Sequence, residues 1–181
     1  MRRKKVYLIV DGYNIINNWP NLKRQMSISL ESARLRLMDI MAEYAKMSDE
    51  KVIVVFDAHQ VKGSVRKFEK YKGIEVVYTK ELETADQYIE RRLDLIGRRE
   101  LVKVATSDSM IQRIILGRGG IRISASELKH IVYSEKSKTK RIESRMRKIK
   151  DRNLVCMEDK NLKTLNTLME MIEKEDRRKK R

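Results

Sequence analysis

The stretch Val6-Tyr7-Leu8-Ile9-Val10-Asp11-Gly12-Tyr13-Asn14 decides the fold. Its apolar run is continuous rather than alternating, the pattern of a strand buried on both faces of a parallel sheet. An acid and a glycine end it abruptly. Three further runs repeat the pattern, at Val52–Phe56, Ile74–Tyr78 and Leu101–Thr106, and Ile121–Ile123 is a candidate fifth, shorter strand. Helical periodicity fills most of the intervals. Leu30, Ala33, Leu37, Met41 and Tyr44 mark one face of a helix over Ser29 to Met47. A second helix opens at Thr84, where Thr84 and Gln87 have capping-box spacing. A third follows Ser107, with Met110, Ile111, Ile114 and Ile115 facing inward, and a fourth starts near Ser124 with Glu127 placed to cap it. Ala58 to Gly73 shows no helical pattern. Strand alternating with helix predicts an α/β fold: an open, mostly parallel sheet flanked by helices.

The charge balance narrows the partners. Of 181 residues, 42 are Lys or Arg and 26 Asp or Glu, a formal net charge of +16. Such a surface favours a polyanion, and RNA, DNA and anionic membrane all qualify on charge alone. Membrane is the weaker reading, because no apolar run approaches the roughly 20 residues of a spanning helix. The basic start, Met1 to Lys5, is followed by too short an apolar run for a signal peptide. Cys156 is the single cysteine and there are two histidines, which points to a reducing cytoplasm and excludes a nitrogen–sulfur zinc site. Half of the net charge lies in residues 135–181, which hold 17 Lys and Arg against 9 Asp and Glu. Two domains are therefore expected: 1–134, and a basic, largely helical C-terminal extension over 135–181. Its helical face is Leu162, Leu165, Met169 and Ile172, and its last five residues are expected to be disordered.

The informative feature is where the carboxylates fall. Asp11 follows the first strand, Asp57 the second and Asp108 the fourth, while Asp86 lies in the first turn of the helix after the third. In a parallel sheet these positions share one edge, where open α/β folds bind ligands. Four carboxylates there repel unless a divalent cation neutralises them. Each has a structural alternative. Asp57 can serve as a turn former, Asp86 as a helix-dipole partner, and Asp108 can complement the dipole of a helix capped by Ser107. Asp11, between a buried strand and Gly12, has no evident structural need.

Val-Asp-Gly-Tyr-Asn at 10–14, Val-Val-Phe-Asp-Ala-His at 54–59, Glu-Thr-Ala-Asp at 83–86 and Ala-Thr-Ser-Asp at 105–108 resemble the motifs of NYN domains. These are PIN-like ribonuclease domains, and the likeness is closest to their YacP-like bacterial branch, over Lys5 to Tyr133. The resemblance implies a PIN-like fold and metal-dependent endonucleolytic cleavage of RNA. It implies that Asp11, Asp86 and Asp108 are catalytic and hold Mg²⁺ or Mn²⁺. Asn14 and Asp57 would support them, and Thr84 and Ser107 would orient neighbours or phosphate through their hydroxyls. The basic extension after Ser134 matches none of these motifs.

Around the acidic edge, His59 is either a phosphate contact or an ordinary polar loop residue. Lys62, Arg66, Lys67, Lys70 and Lys72, interleaved with Phe68 and Tyr71, suit single-stranded RNA or a solvated loop. Gly117-Arg118-Gly119-Gly120 lacks the lysine and hydroxyl of a phosphate-binding loop and reads as a helix-ending turn. Trp19-Pro20 could stack a base near the site, and reads more simply as an anchor for the loop after Asn14. The expectation is an endoribonuclease acting on single-stranded RNA, with ribosome-presented mRNA among the candidate substrates. A metal-activated water would attack phosphorus in line, leaving 5′-phosphate and 3′-hydroxyl ends. The rival reading is a non-catalytic RNA- or ribosome-binding module of the same fold. A covalent phosphatase of the haloacid-dehalogenase kind would need a second acid where Tyr13 stands.

Overall fold

Alternation along strand β1 (Val6–Asp11) divides the core into two layers. In the computed structural model, which describes residues 4–57, 66–80, 82–96, 100–149 and 169, Leu8 and Val10 face one layer and Ile9 the other. All three are fully buried, as their continuous apolar run requires. The remaining strands are β2 (Glu50–Phe56), β3 (Lys67–Tyr71), β4 (Ile74–Tyr78), β5 (Leu101–Ala105) and β6 (Ile121–Ile123). They form a mixed sheet in the order β3-β4-β2-β1-β5-β6, parallel throughout except for the antiparallel β3–β4 pair.

Helices cover both faces. Helices α1 (Gly12–Asn18), α2 (Pro20–Met26) and α3 (Leu30–Met47), with helical residues 125–136, pack on the Leu8 face. Helices α4 (Ala85–Ile96) and α5 (Ser109–Gly117) pack on the Ile9 face. The expected start signals are in place. Ser29 caps α3 by accepting from the Ser32 amide at 3.2 Å. Thr84 and Gln87 bond reciprocally at 3.2 and 3.3 Å, and Ser124 and Glu127 at 3.2 and 2.7 Å. Arg118 caps the end of α5, and Gly119 takes the left-handed φ of +75° that its turn requires.

Met110, expected to face inward, is exposed on α5, and two further expectations need correction. The segment before Gly73 contains strand β3, which turns back through Lys72 and Gly73, both at positive φ, to pair with β4. The residues after Asn14 are not a loop: α1 and α2 occupy them, hinged at Trp19-Pro20. Trp19 is nevertheless the anchor expected, buried with its indole N–H donating to the Ala125 carbonyl at 2.8 Å.

The topology itself selects an edge for chemistry. From β1 the chain builds outward through β2 and β4, then returns to place β5 on the opposite side of β1. The order reverses between β1 and β5, and the crevice beyond their C-terminal ends is the usual ligand position in such sheets. Gly12 lies at its floor. A Cβ there would sit 2.3 and 2.5 Å from Phe56 ring atoms and 2.9 Å from the Val55 carbonyl. Gly12→Ala is therefore expected to cost about 1–3 kcal/mol, as overpacking does. Thermal unfolding followed by circular dichroism checks it, and an unchanged melting temperature would contradict the packing.

The chain divides into two compact units, Met1–Lys136 and Ser137–Arg181. Within the second, residues 137–149 are helical, with Ile142, Met146 and Ile149 exposed. Met169 is also helical and exposed. The rest of the expected terminal helix, with Leu162, Leu165 and Ile172, lies outside the described residues, as do Cys156 and the last five positions.

Candidate active site

Asp11 ends β1 and caps α1 at once, so a single residue turns strand into helix. One carboxylate oxygen accepts from the Asn14 amide at 3.2 Å, and the other from the Thr106 hydroxyl at 3.3 Å. Asp11 thus has a structural role, contrary to expectation, and the Asn14 backbone supplies the reason. Thr106 is fully buried just beyond β5, and its hydroxyl oxygen also accepts from the Asp108 amide at 3.2 Å. A chain of bonds therefore links the ends of β1 and β5. Asn14 adds a second link, its side-chain carbonyl accepting from the Ser107 amide at 2.8 Å.

The remaining acids gather at the same edge. Asp108, rather than Ser107, caps α5, accepting from the amides of Met110 (2.8 Å) and Ile111 (3.4 Å). Ser107 instead accepts from the Ala125 amide at 3.1 Å. Asp86 is partly buried in the first turn of α4. Asp57, also partly buried after β2, accepts from the Thr79 hydroxyl at 3.3 Å.

Electrostatics shows that these groups feel one another. Burial raises the Asp11 carboxyl to a pKa of about 6, and the negative charges of Asp86 and Asp108 push the same way. The bonds from Asn14 and Thr106 oppose that rise without cancelling it. Asp86 is also raised, first by burial and then by Asp108 and Asp57. Among the described residues no lysine or arginine forms an ion pair with Asp11, Asp86 or Asp108.

The donor set fits a hard divalent cation. It consists only of oxygens, with Asp11 buried, Asp57 and Asp86 partly buried and Asp108 exposed. Yet among the described residues no three His, Cys, Asp or Glu side chains close into a ready-made cage. Mg²⁺ keeps several waters and takes few carboxylates directly.

The basic residues expected to meet RNA are placed differently from one another. Arg66 holds Glu83 through two nitrogens, Nε at 3.0 Å and Nη2 at 2.6 Å, with its guanidinium over the Tyr88 ring. Arg91 pairs with the same carboxylate. Arg66 thus clamps the turn leading into α4 and Asp86. Lys67 is exposed and paired with its neighbour Glu69. Thr84 caps α4 through its hydroxyl, and His59 lies outside the described residues. Two functional positions were not singled out from sequence, Thr106 and Glu83. The only available signal was that each lies within a motif already marked by its aspartate.

The sequence matches the model of the YacP-like NYN domain over residues 8–170, well beyond Ser134. It is 43% identical over 161 residues to protein YacP of Bacillus subtilis (strain 168), covering 87% of this chain and 92% of that one. The crystal structure of Rae1 (YacP) from Bacillus subtilis is similar with a TM-score of 0.66 at 40% identity, covering 88% of this chain and 92% of that one. A single-substitution variant of the same protein gives 0.64 at 42% identity, covering 79% and 82%. No helix among the described residues is long and apolar enough to cross a membrane.

Proposed function

Since the chain belongs to the YacP-like NYN domain family, a nuclease-like and RNA-related group, we propose that it is a metal-dependent endoribonuclease cutting single-stranded RNA. The observation that carries the proposal is the set Asp11, Asp86 and Asp108. These three carboxylates lie along one edge on separate elements, burial and neighbouring negative charge raise the pKa of Asp11 and of Asp86, and among the described residues none of the three forms an ion pair with a lysine or arginine. A site evolved only to bind phosphate would gain nothing from them.

In this reading Asp11, Asp86 and Asp108 hold Mg²⁺ or Mn²⁺. Such an ion lowers the pKa of water and offsets the charge that builds on phosphorus under attack. The chain's own residues do the rest. Thr106 fixes the Asp11 carboxylate by its hydroxyl, and Asn14 and Ser107 keep the β1 and β5 ends in register. The Arg66–Glu83–Arg91 clamp sets the start of α4, and with it Asp86. The basic exterior draws the polyanion to an edge that alone would repel it. The lone Cys156 accords with action in the reducing cytoplasm, where free RNA and ribosome-presented mRNA are both available.

Water as nucleophile makes a specific prediction about products. Mapping of cleaved RNA should find 5′-phosphate and 3′-hydroxyl ends, and a single 2′-deoxy substitution at the cut site should be tolerated. Cyclic or 3′-phosphate ends, with cleavage abolished by that substitution, would mean that the ribose hydroxyl is the nucleophile and would overturn the scheme.

A further inference from the structure

The acidic edge does not account for the cleft beside it. Between the α1–α2 corner and helical residues 125–136 lies a cavity of about 470 Å³, within the roughly 300–1,000 Å³ usual for ligand clefts. Asn18, Ser107, Ser126, Lys129, His130 and Tyr133 line it, with Trp19 as one wall. A smaller groove shares Trp19, Lys129 and Tyr133 and continues to Arg36.

Three observations tie this cleft to the carboxylates. Ser107 is the residue before Asp108, and it bonds both to Asn14 on one side and to Ala125 on the other. Asn18 donates to the Asn14 carbonyl at 2.8 Å, so α1 runs from the acidic edge directly into the cleft. The Trp19 indole bonds Ala125 across the cleft at 2.8 Å, which fixes the two walls against each other. The lining chemistry is the complement of the neighbouring edge. Among the described residues its lining has no carboxylate; it has Lys129 and His130, the Asn18 amide, the Ser107 and Ser126 hydroxyls, and a tyrosine that is 54% exposed. A phosphodiester chain leaving an acidic centre needs a neutral-to-basic path and a flat surface for an unstacked base.

We propose that this cleft is a single-stranded RNA subsite, taking the nucleotide next to the cut phosphate, with Tyr133 stacking the base and Lys129 contacting the backbone. The proposal rests on the nuclease reading for what lies next door, but its test does not.

The test measures binding of a fluorescein-labelled single-stranded RNA octamer to the full chain by anisotropy, in EDTA so that nothing is cut. Tyr133→Ala is expected to weaken binding roughly 5- to 150-fold, the range for loss of one stacked base, while Tyr133→Phe stays within about two-fold of wild type. Lys129→Ala should flatten the dependence of log Kd on log salt by about 0.7, the value for one phosphate contact on a single strand. Tyr133→Ala binding as well as wild type, a salt slope unmoved by Lys129→Ala, or Tyr133→Phe as weak as Tyr133→Ala would each overturn the assignment. Mn²⁺-dependent hydrolysis of bis(p-nitrophenyl) phosphate, which has no base to stack, reads the acidic edge separately. Its absence in wild type would sink the nuclease reading while leaving the binding result to decide the cleft.

Discussion

Asp11→Asn is expected to reduce RNA cleavage by on the order of 10³-fold and, at neutral pH, to raise the melting temperature. The two effects share one cause. Asp11 is buried beside Asp86 and Asp108, and its carboxyl has been lifted to about 6. Asparagine keeps the side-chain oxygen that caps α1, so the helix start survives, but removes the charge. The sign follows from proton binding. The folded chain holds the Asp11 proton up to about pH 6, whereas the unfolded chain releases it near 3.8. Between those values the native state binds more protons, so this group's contribution to stability falls as pH rises through that window. At about 1.4 kcal/mol per unit the full penalty above pH 6 is about 3 kcal/mol, of which amide burial returns a part. Asp11→Asn should therefore gain about 1–2 kcal/mol at pH 7.5, roughly 2–8 °C, and almost nothing at pH 3.5. Added Mn²⁺ should raise the melting temperature of wild type and not of the variant. Melting curves at both pH values, with and without the ion, check all of this. A variant less stable than wild type at pH 7.5 would show that the carboxylate is an ordinary cap rather than a strained ligand.

Glu83→Ala carries the second large effect, here on stability first and activity second. Glu83 is 3% exposed and holds both Arg66 and Arg91. Its removal leaves two guanidinium groups facing an emptied buried position. Breaking a buried pair from one side costs about 3–5 kcal/mol. Both arginines reach solvent on their outer side, so about 2–3 kcal/mol is expected here. The turn they hold leads straight into Asp86, and loosening it should cut turnover by about 10- to 100-fold, the range for a supporting partner of a metal ligand. Arg91→Ala is expected to be milder on both counts, because Arg66 still satisfies Glu83. Urea unfolding and single-turnover cleavage measure the pair, and equal effects from Glu83→Ala and Arg91→Ala would contradict the clamp.

The readable parts of this chain were those in which burial writes its own pattern. Strands β1, β2, β4 and β5 have residues packed on both faces, so their sequences are mostly apolar, broken by Glu75 in β4 and Lys103 in β5. Ser29, Thr84 and Ser124 announce helix starts because an orphan backbone amide needs a short polar side chain nearby. Strand β3 hid for the opposite reason. It is an edge strand with Phe68 largely exposed and lysines on its outer side, held by its pairing with β4 rather than by burial. Helices α1 and α2 have seven residues each, too few for a 3.6-residue period to show. The carboxylate edge was legible as a placement, since strand ends in a parallel sheet fall on one side. Which neighbour each carboxylate would engage was not. Glu83 meets Arg66 and Arg91 only after folding, and the Thr106 hydroxyl is paired across 95 residues to Asp11.

Whether Asp11, Asp86 and Asp108 form a metal-dependent cutting edge is decided by a single comparison. End-labelled single-stranded RNA is incubated with wild type and with Asp86→Asn, in Mg²⁺ or Mn²⁺ and in EDTA, with RNA binding measured alongside. Wild type should cut, with cutting stopped by EDTA and lost in Asp86→Asn, while the variant binds RNA as well as wild type or better. Cutting that persists in EDTA or survives Asp86→Asn would contradict it. So would tight binding by wild type with no cutting of free or ribosome-presented RNA, which would leave the fold serving as an RNA-binding module.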